Sequence, residues 1–422
     1  MPGRSEGLRR SAATLLLGAV AACGGVEGTA DSGAGVRVTD SAGVAIVSNE
    51  GPLLTGADRW VVDLGEEGRY GYGDDPDEGL MFPMAARSLS DGRVVVGDQG
   101  TRQLKLFSPD GRFLQSVGRD GEGPGEFRSV FGLWVTAGDT LVVWDIALAR
   151  LTRFDAAGRH IASRALPGDP TPPVLLGLLP DGSPVGTFPA EDAFESAMTR
   201  PPGTRIQTQD ALARFDGAGR APSTIASRPG DVLEVTRFEG APAIGSPRFS
   251  PQPTWALHDA RIFYTPAASF EVQMLDGNGA LQWITRRPEG DLRITDEMIA
   301  AYKAWAIRLE EANPDRFRGT RARMEDAVFP ERKPSVGTLL VDARGNVWAR
   351  PVDMPFDSLA DWSVFSPEGR WITDVTVPGM PWTILEIGDA HLLARTTDAL
   401  DVPYIVRVPL RKPGGTPSAG AR

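Results

Sequence analysis

Three histidines (His160, His258 and His391), one cysteine (Cys23) and a glycine run at Gly118–Gly125 are the residues whose types most readily carry chemistry in this 422-residue chain. A histidine titrates near neutral pH and can act as a general acid or base. Each of the three falls on or beside a turn rather than inside an apolar run, so none is assigned a catalytic role. A lone thiol excludes disulfides within the chain and a cysteine-based zinc site. Gly118–Gly125 could cradle a phosphate, but it lacks the Lys-Ser/Thr ending of a Walker loop and no helical pattern follows, so it reads as a connection. No Gly-x-Ser-x-Gly elbow is evident. Asp98 and Arg102 sit between two apolar runs and are expected to fix that loop by hydrogen bonds. The residues therefore supply no catalytic, cofactor-binding or metal-binding set.

The elements that carry these residues are legible as a repeat. Ser88–Gly118 holds two hairpins, one turning at Asp91-Gly92 and one at Asp110-Gly111. Asp-Gly between β-rich runs is a strong hairpin signal, because tight primed turns need positive φ. Two hairpins make a four-stranded antiparallel sheet, the blade of a β-propeller. The first-hairpin turn recurs at Gly92, Gly138, Gly182, Asp259, Gly345 and Gly388. The second recurs at Phe107–Arg112, Phe154–Arg159, Phe215–Arg220, Leu275–Gly279 and Phe365–Arg370. Six first hairpins and five second hairpins predict an all-β, six-bladed propeller over residues 36–411. The missing strand of the sixth blade is expected from Arg59–Leu64, and the hairpin in Val36–Val47 is expected near that closure. Residues 186–210 are read as lengthening blade three, and 222–250 as linking blades three and four. Residues 412–422 read as a disordered tail.

Residues 294–331 break the β pattern. Thr295 can cap a helix, Asp296 and Glu297 suit its first turn, and Met298, Tyr302, Trp305, Ala306 and Leu309 form an apolar stripe. A helical hairpin between blades four and five follows, either a cap on the propeller edge or a lid over its funnel. Trp134, Trp144, Trp255, Trp283, Trp348, Trp362 and Trp371 recur at blade positions and read as core between blades rather than as a sugar platform. Phe127 is expected in the same packing.

Composition agrees with this class. Hydrophobic residues make up 41%, enough for a sizeable core, and 49 Gly with 35 Pro suit many turns. The net charge is −11, and no basic stripe offsets it, which argues against nucleic acid as a partner.

The N-terminus carries an address. Arg4, Arg9 and Arg10 precede the uncharged stretch Ala12–Ala22, too short to span a bilayer and suited to a signal peptide over residues 1–22. Val20-Ala21-Ala22-Cys23 resembles the bacterial lipobox, which implies lipidation at Cys23. Residues 23–35, rich in Gly, Ser and Ala, then read as a flexible tether. Gly24 is not the Asp associated with inner-membrane retention, which favours the outer membrane where two membranes are present.

Val94–Leu114 resembles the NHL repeat, and Val117–Phe127 resembles the linker of bacterial six-bladed propeller lipoproteins of the NHL-repeat and TolB-like kind. The resemblance is close over residues 85–130, looser over 36–410, and absent from the insertion. It implies the fold and leaves the activity open. Propellers of similar shape hold an axial metal on acids and amides, or use a catalytic histidine. Here the histidines lie at turns and no acid cluster recurs between blades. The expectation is a monomeric, non-catalytic binding or scaffold module without cofactor or metal. It would be lipid-anchored at the cell envelope and present its funnel face to a protein or glycan. The alternative is a hydrolase or lyase with a site on the central axis under the insertion.

Overall fold

A computed structural model describes residues 35–413 apart from 66–67, 74–76, 168–171, 190–196, 217–220, 239–240 and 326. Six sheets, each built around antiparallel hairpins, form the body. Blade one is Pro83–Ser88, Val94–Asp98, Gln103–Phe107 and Phe113–Val117 from the axis outward. Blade two is Gly132–Thr136, Thr140–Asp145, Arg150–Phe154 and His160–Ala165. Blades three, four, five and six begin with the inner strands Val174–Leu178, Thr254–His258, Thr338–Val341 and Thr383–Ile387.

The turn chemistry read from the sequence is what joins the strands. Asp155 Oδ1 accepts the backbone N–H groups of Ala157 and Arg159, and Asp276 Oδ1 those of Asn278 and Ala280. Gly158 and Gly279 then take φ of 77° and 84°, which favours glycine. Ser108 and Ser366 play the same part with their hydroxyls. At the end of the second strands, Asp98 accepts from the N–H groups of Met81 and Phe82 and from the Thr101 hydroxyl. Asp145 repeats this in blade two, accepting from Arg128 and Leu148. Asp98 thus fixes its loop, and Arg102 pairs with Asp120 in the following linker.

The buried apolar residues fall into six clusters, one at each blade interface. Phe127 is fully buried with Val117 and Phe154 between blades one and two. The core role expected for the indoles holds for Trp144, Trp283, Trp348, Trp362 and Trp371.

Blade six closes as expected in kind, with a refinement. Val61–Val62 pairs with Leu410–Arg411, and Gly68–Tyr70 pairs with Ile405–Arg407, so the fourth strand comes in two short pieces. The hairpin of Val36–Ser41 and Val44–Asn49 lies elsewhere than expected. It joins the outer edge of blade four, where Val44–Asn49 runs parallel to Leu281–Arg286. The unsatisfied edge of that outer strand accepts it. The segment 222–250 is also more than a link, because Ser223–Phe238 and Ala241–Gly245 are the fourth and fifth strands of blade three. Its alternating Thr, Ile and Val residues outweigh the turn-forming Pro229-Gly230. The ordered body runs on past residue 411, for Lys412 lies 4.4 Å from the Trp60 ring centre.

The insertion folds as helix α1 (Asp296–Ala312) and the short helix α2 (Thr320–Glu325), with Thr295 capping α1 through the Met298 N–H. Tyr302 packs on Phe249 and Phe329, which fastens α1 to the segment leading into blade four.

Candidate functional site

The inner strands converge on an axial cavity of about 820 Å³, bounded by residues of all six blades. It opens at the first-hairpin turns. The register of blade four shows which end this is: His258 pairs with Arg261, beside the turn, while Thr254 pairs with Thr265 at the far end. Half-buried Trp134 and Trp255 line its wall with Leu176, Leu257, Leu339 and Leu385. For these two indoles the simple core reading needs correction, since they face the axis as well as their neighbours.

One side of the cavity is polar, where blade one meets blade six. Arg87 donates through Nη1 to the carbonyls of Ala86 (2.8 Å) and Leu385 (2.6 Å). Burial lowers its pKa, and the Glu386 carboxylate opposes that shift. Glu386 accepts the Ser88 backbone N–H on both oxygens, at 3.2 and 3.0 Å. Burial pushes the Glu386 carboxyl up. The hydrogen bond from His391, the charge of Arg87 and the donors of Ser88 outweigh this and hold it below the ordinary carboxylate value.

His391 Nε2 lies 2.9 Å from Ser88 Oγ and 3.4 Å from Glu386 Oε1. Its Nδ1 lies 3.5 Å from Arg407 Nη2, at the edge of hydrogen bonding. A guanidinium can only donate, so the tautomer that fits this contact accepts at Nδ1 and carries its proton on Nε2. Serine and carboxylate then share one nitrogen, and the serine hydroxyl receives a proton donor instead of facing a base. In a nucleophilic triad the acid holds the other nitrogen. The arrangement offers fixed donors and acceptors beside an apolar wall, which suits binding.

The histidines separate. His391 and His258 both border the axial cavity, contrary to the expectation that turn positions keep them from the axis. The reason is topological: the first-hairpin turns of a propeller surround the channel mouth. His160 lies in the outer strand of blade two, bonded to Ser163. Among the described residues, none of the insertion lines the cavity; α1 leaves blade four from the end opposite the mouth, so neither a lid here nor a site under the insertion fits. Among the described residues no group of three His, Cys, Asp or Glu side chains is placed to hold a metal. Cys23 lies outside the described residues. Sequence reading missed Arg87, Ser88, Glu386 and Arg407. The available signal was a polar residue just before a first-hairpin turn, where Leu178 and Val341 stand in other blades.

Closed by its own N-terminal strand, the ring is a six-bladed β-propeller. Residues 85–174 match the family of six-bladed β-propellers designated DUF5128. No curated relative matches the chain. A DUF4221-family protein of Bacteroides vulgatus is similar in structure at TM-score 0.50 and 10% identity, over 84% of this chain and 99% of that one. The protein BF0058 of Bacteroides fragilis aligns at TM-score 0.47 and 11% identity, over 87% and 100%. Virginiamycin B lyase of Staphylococcus aureus aligns at 0.39 and 10%, over 83% and 100%. The likeness at these identities is one of fold.

Proposed function

We propose that this chain is an exported propeller, anchored through a lipid on Cys23, that binds a protein or glycan at its axial mouth without transforming it. The observation that carries the reading is the cavity itself: an apolar wall with one polar side built by Arg87, Ser88, Glu386 and His391, and open to solvent. Cavities of this size with a few fixed polar groups are the usual form of a ligand site.

The direction of the mouth supports the anchor. The first strand starts at Val36, opposite Asn49 and beyond the Ser48–Arg286 pair, which is the end of blade four away from the first-hairpin turns. A tether over residues 23–35, reaching at most about 45 Å, would hold that end toward the membrane and leave the mouth facing outward. Without its first 22 residues, which hold three Arg and one Glu, the chain carries a net charge of −13. Such a body keeps clear of anionic lipid headgroups.

Affinity capture from envelope extracts tests the reading, using the wild-type chain beside a Glu386→Gln/His391→Ala variant. A partner held by the wild type and lost by the variant is expected; equal capture by both removes the axial site. Cell fractionation of Cys23→Ser tests the anchor, and unchanged membrane retention rejects it.

A further inference from the structure

A second cavity, of about 780 Å³, opens between blades two and three. Its walls are largely apolar: Val135, Val142 and Leu151 on one side, Leu178, Leu179 and Pro180 on the other. Two arginines stand on its blade-two face. Arg153 is paired with Ala162 and Arg164 with Leu151, so the two guanidinium stems rise from one face of neighbouring strands.

Neither arginine has a hydrogen-bond or ion-pair partner among the described residues. Arg153 is exposed to solvent, whereas Arg164 is half-buried and its Nε and Nη2 are shut off from water with no acceptor. Those two N–H groups form one edge of the guanidinium, the edge that grips a carboxylate or phosphate with two parallel bonds. The acids on the cavity wall do not pair with either arginine. Asp181 accepts the Ser183 N–H and pairs with Arg214, and Asp259 lies exposed 3.6 Å from His258 Nε2. Ser163 is held by Thr152 and His160. In a chain of net charge −11, two arginines without an ion-pair partner on one face of this cleft stand out.

We infer that this cleft is a binding site for a small organic anion, an acid with an apolar body. The carboxylate is taken by Arg164, after its head turns into the cavity it lines, and by Arg153. The body lies along Val142, Leu178 and Pro180. This cleft adjoins the axial cavity, sharing Val135 with it, but its arginines are not part of the axial site and the inference does not depend on that site.

Octanoate is the probe, with octanamide as the neutral match and inorganic phosphate as a head without a body. Isothermal titration on the full-length chain reads saturable binding. Octanoate is expected to bind and to weaken as salt screens the pair. Octanamide and phosphate are each expected to bind at least about tenfold more weakly, and Arg164→Met and Arg153→Met to lose octanoate by a similar factor. Leu178→Trp, which fills the cleft and leaves both charges, is expected to block octanoate as well. Circular dichroism identifies any variant that fails to fold, and the ligand comparison on the wild-type chain stands without the variants. The inference is overturned if octanoate shows no saturable binding, if octanamide binds as well as octanoate, or if folded Arg164→Met keeps wild-type affinity.

Discussion

Trp371 donates its backbone N–H to the side-chain oxygen of Asn49 at 2.9 Å, across 322 residues of sequence. The same amide donates through Nδ2 to Thr285 Oγ1 at 2.9 Å, to the Arg286 carbonyl at 3.1 Å and to the Gly369 carbonyl at 3.2 Å. One buried asparagine therefore joins the N-terminal hairpin to blades four and five. Asn49→Ala leaves the Trp371 N–H without an acceptor, and the expected loss is about 2–3 kcal/mol of unfolding free energy. Urea titration measures it; a change below about 0.5 kcal/mol would show that water replaces the amide.

Glu386 gives the body a definite acid response. Its folded pKa lies below the ordinary carboxylate value, so its ionisation adds stability above the unfolded pKa, about 4.3. That contribution is lost as pH falls through the lower folded value, because the unfolded chain binds the proton first. Thermal midpoints taken from pH 7 to pH 3 should fall less steeply for Glu386→Gln than for the wild type. Parallel curves would contradict the hydrogen-bonded carboxylate.

Tyr264 answers at the other end of the scale. Burial, with the nearby Asp210 charge, pushes its pKa up to about 12, and its hydroxyl donates to the Pro229 carbonyl at 2.9 Å. The neutral phenol is favoured in the fold, so stability is full below the unfolded pKa of about 10 and is lost as pH rises toward about 12. Ultraviolet titration should show a late ionisation step that disappears in Tyr264→Phe. A wild-type curve finished by about pH 11 would refute the burial.

The insertion should be removable. Arg293 and Arg332 form an antiparallel bridge, and the Ile294 N–H reaches the Glu331 carbonyl at 2.9 Å, so its two ends already meet. Replacing residues 294–331 by Asn-Gly, a two-residue hairpin turn, is expected to leave a folded ring. The thermal midpoint should drop by no more than about 5 °C. Loss of the cooperative transition would make α1 part of the core.

Blade number and order were legible because each hairpin turn is local; at Asp155, Asp276 and Ser366, for instance, an acid or serine binds the backbone two and four residues on. The helix was legible through Thr295 and its apolar spacing. Three features were not. The pairing of Ala45 with Trp283 leaves no mark in either segment, since any apolar strand would satisfy the same edge. Ser223–Phe238 was masked by Pro229-Gly230. The polar side of the axial cavity brings Ser88 to Glu386 from opposite ends of the chain, and only ring closure makes them neighbours.

The attachment of the N-terminal hairpin also has a mechanical meaning. A pull on the chain before Val36 runs along the strand, so the six residue pairs from Val36–Asn49 to Ser41–Val44 are loaded together in shear instead of being unzipped one by one. Val44–Asn49 passes the load to Leu281–Arg286, and the onward chain shares it with blade five, where the Leu53 and Leu54 N–H groups reach the carbonyls of Trp371 and Ile372. The join works as a lap joint, in which tension on the chain before Val36 is spread over the rim of the ring before it can reach the axis.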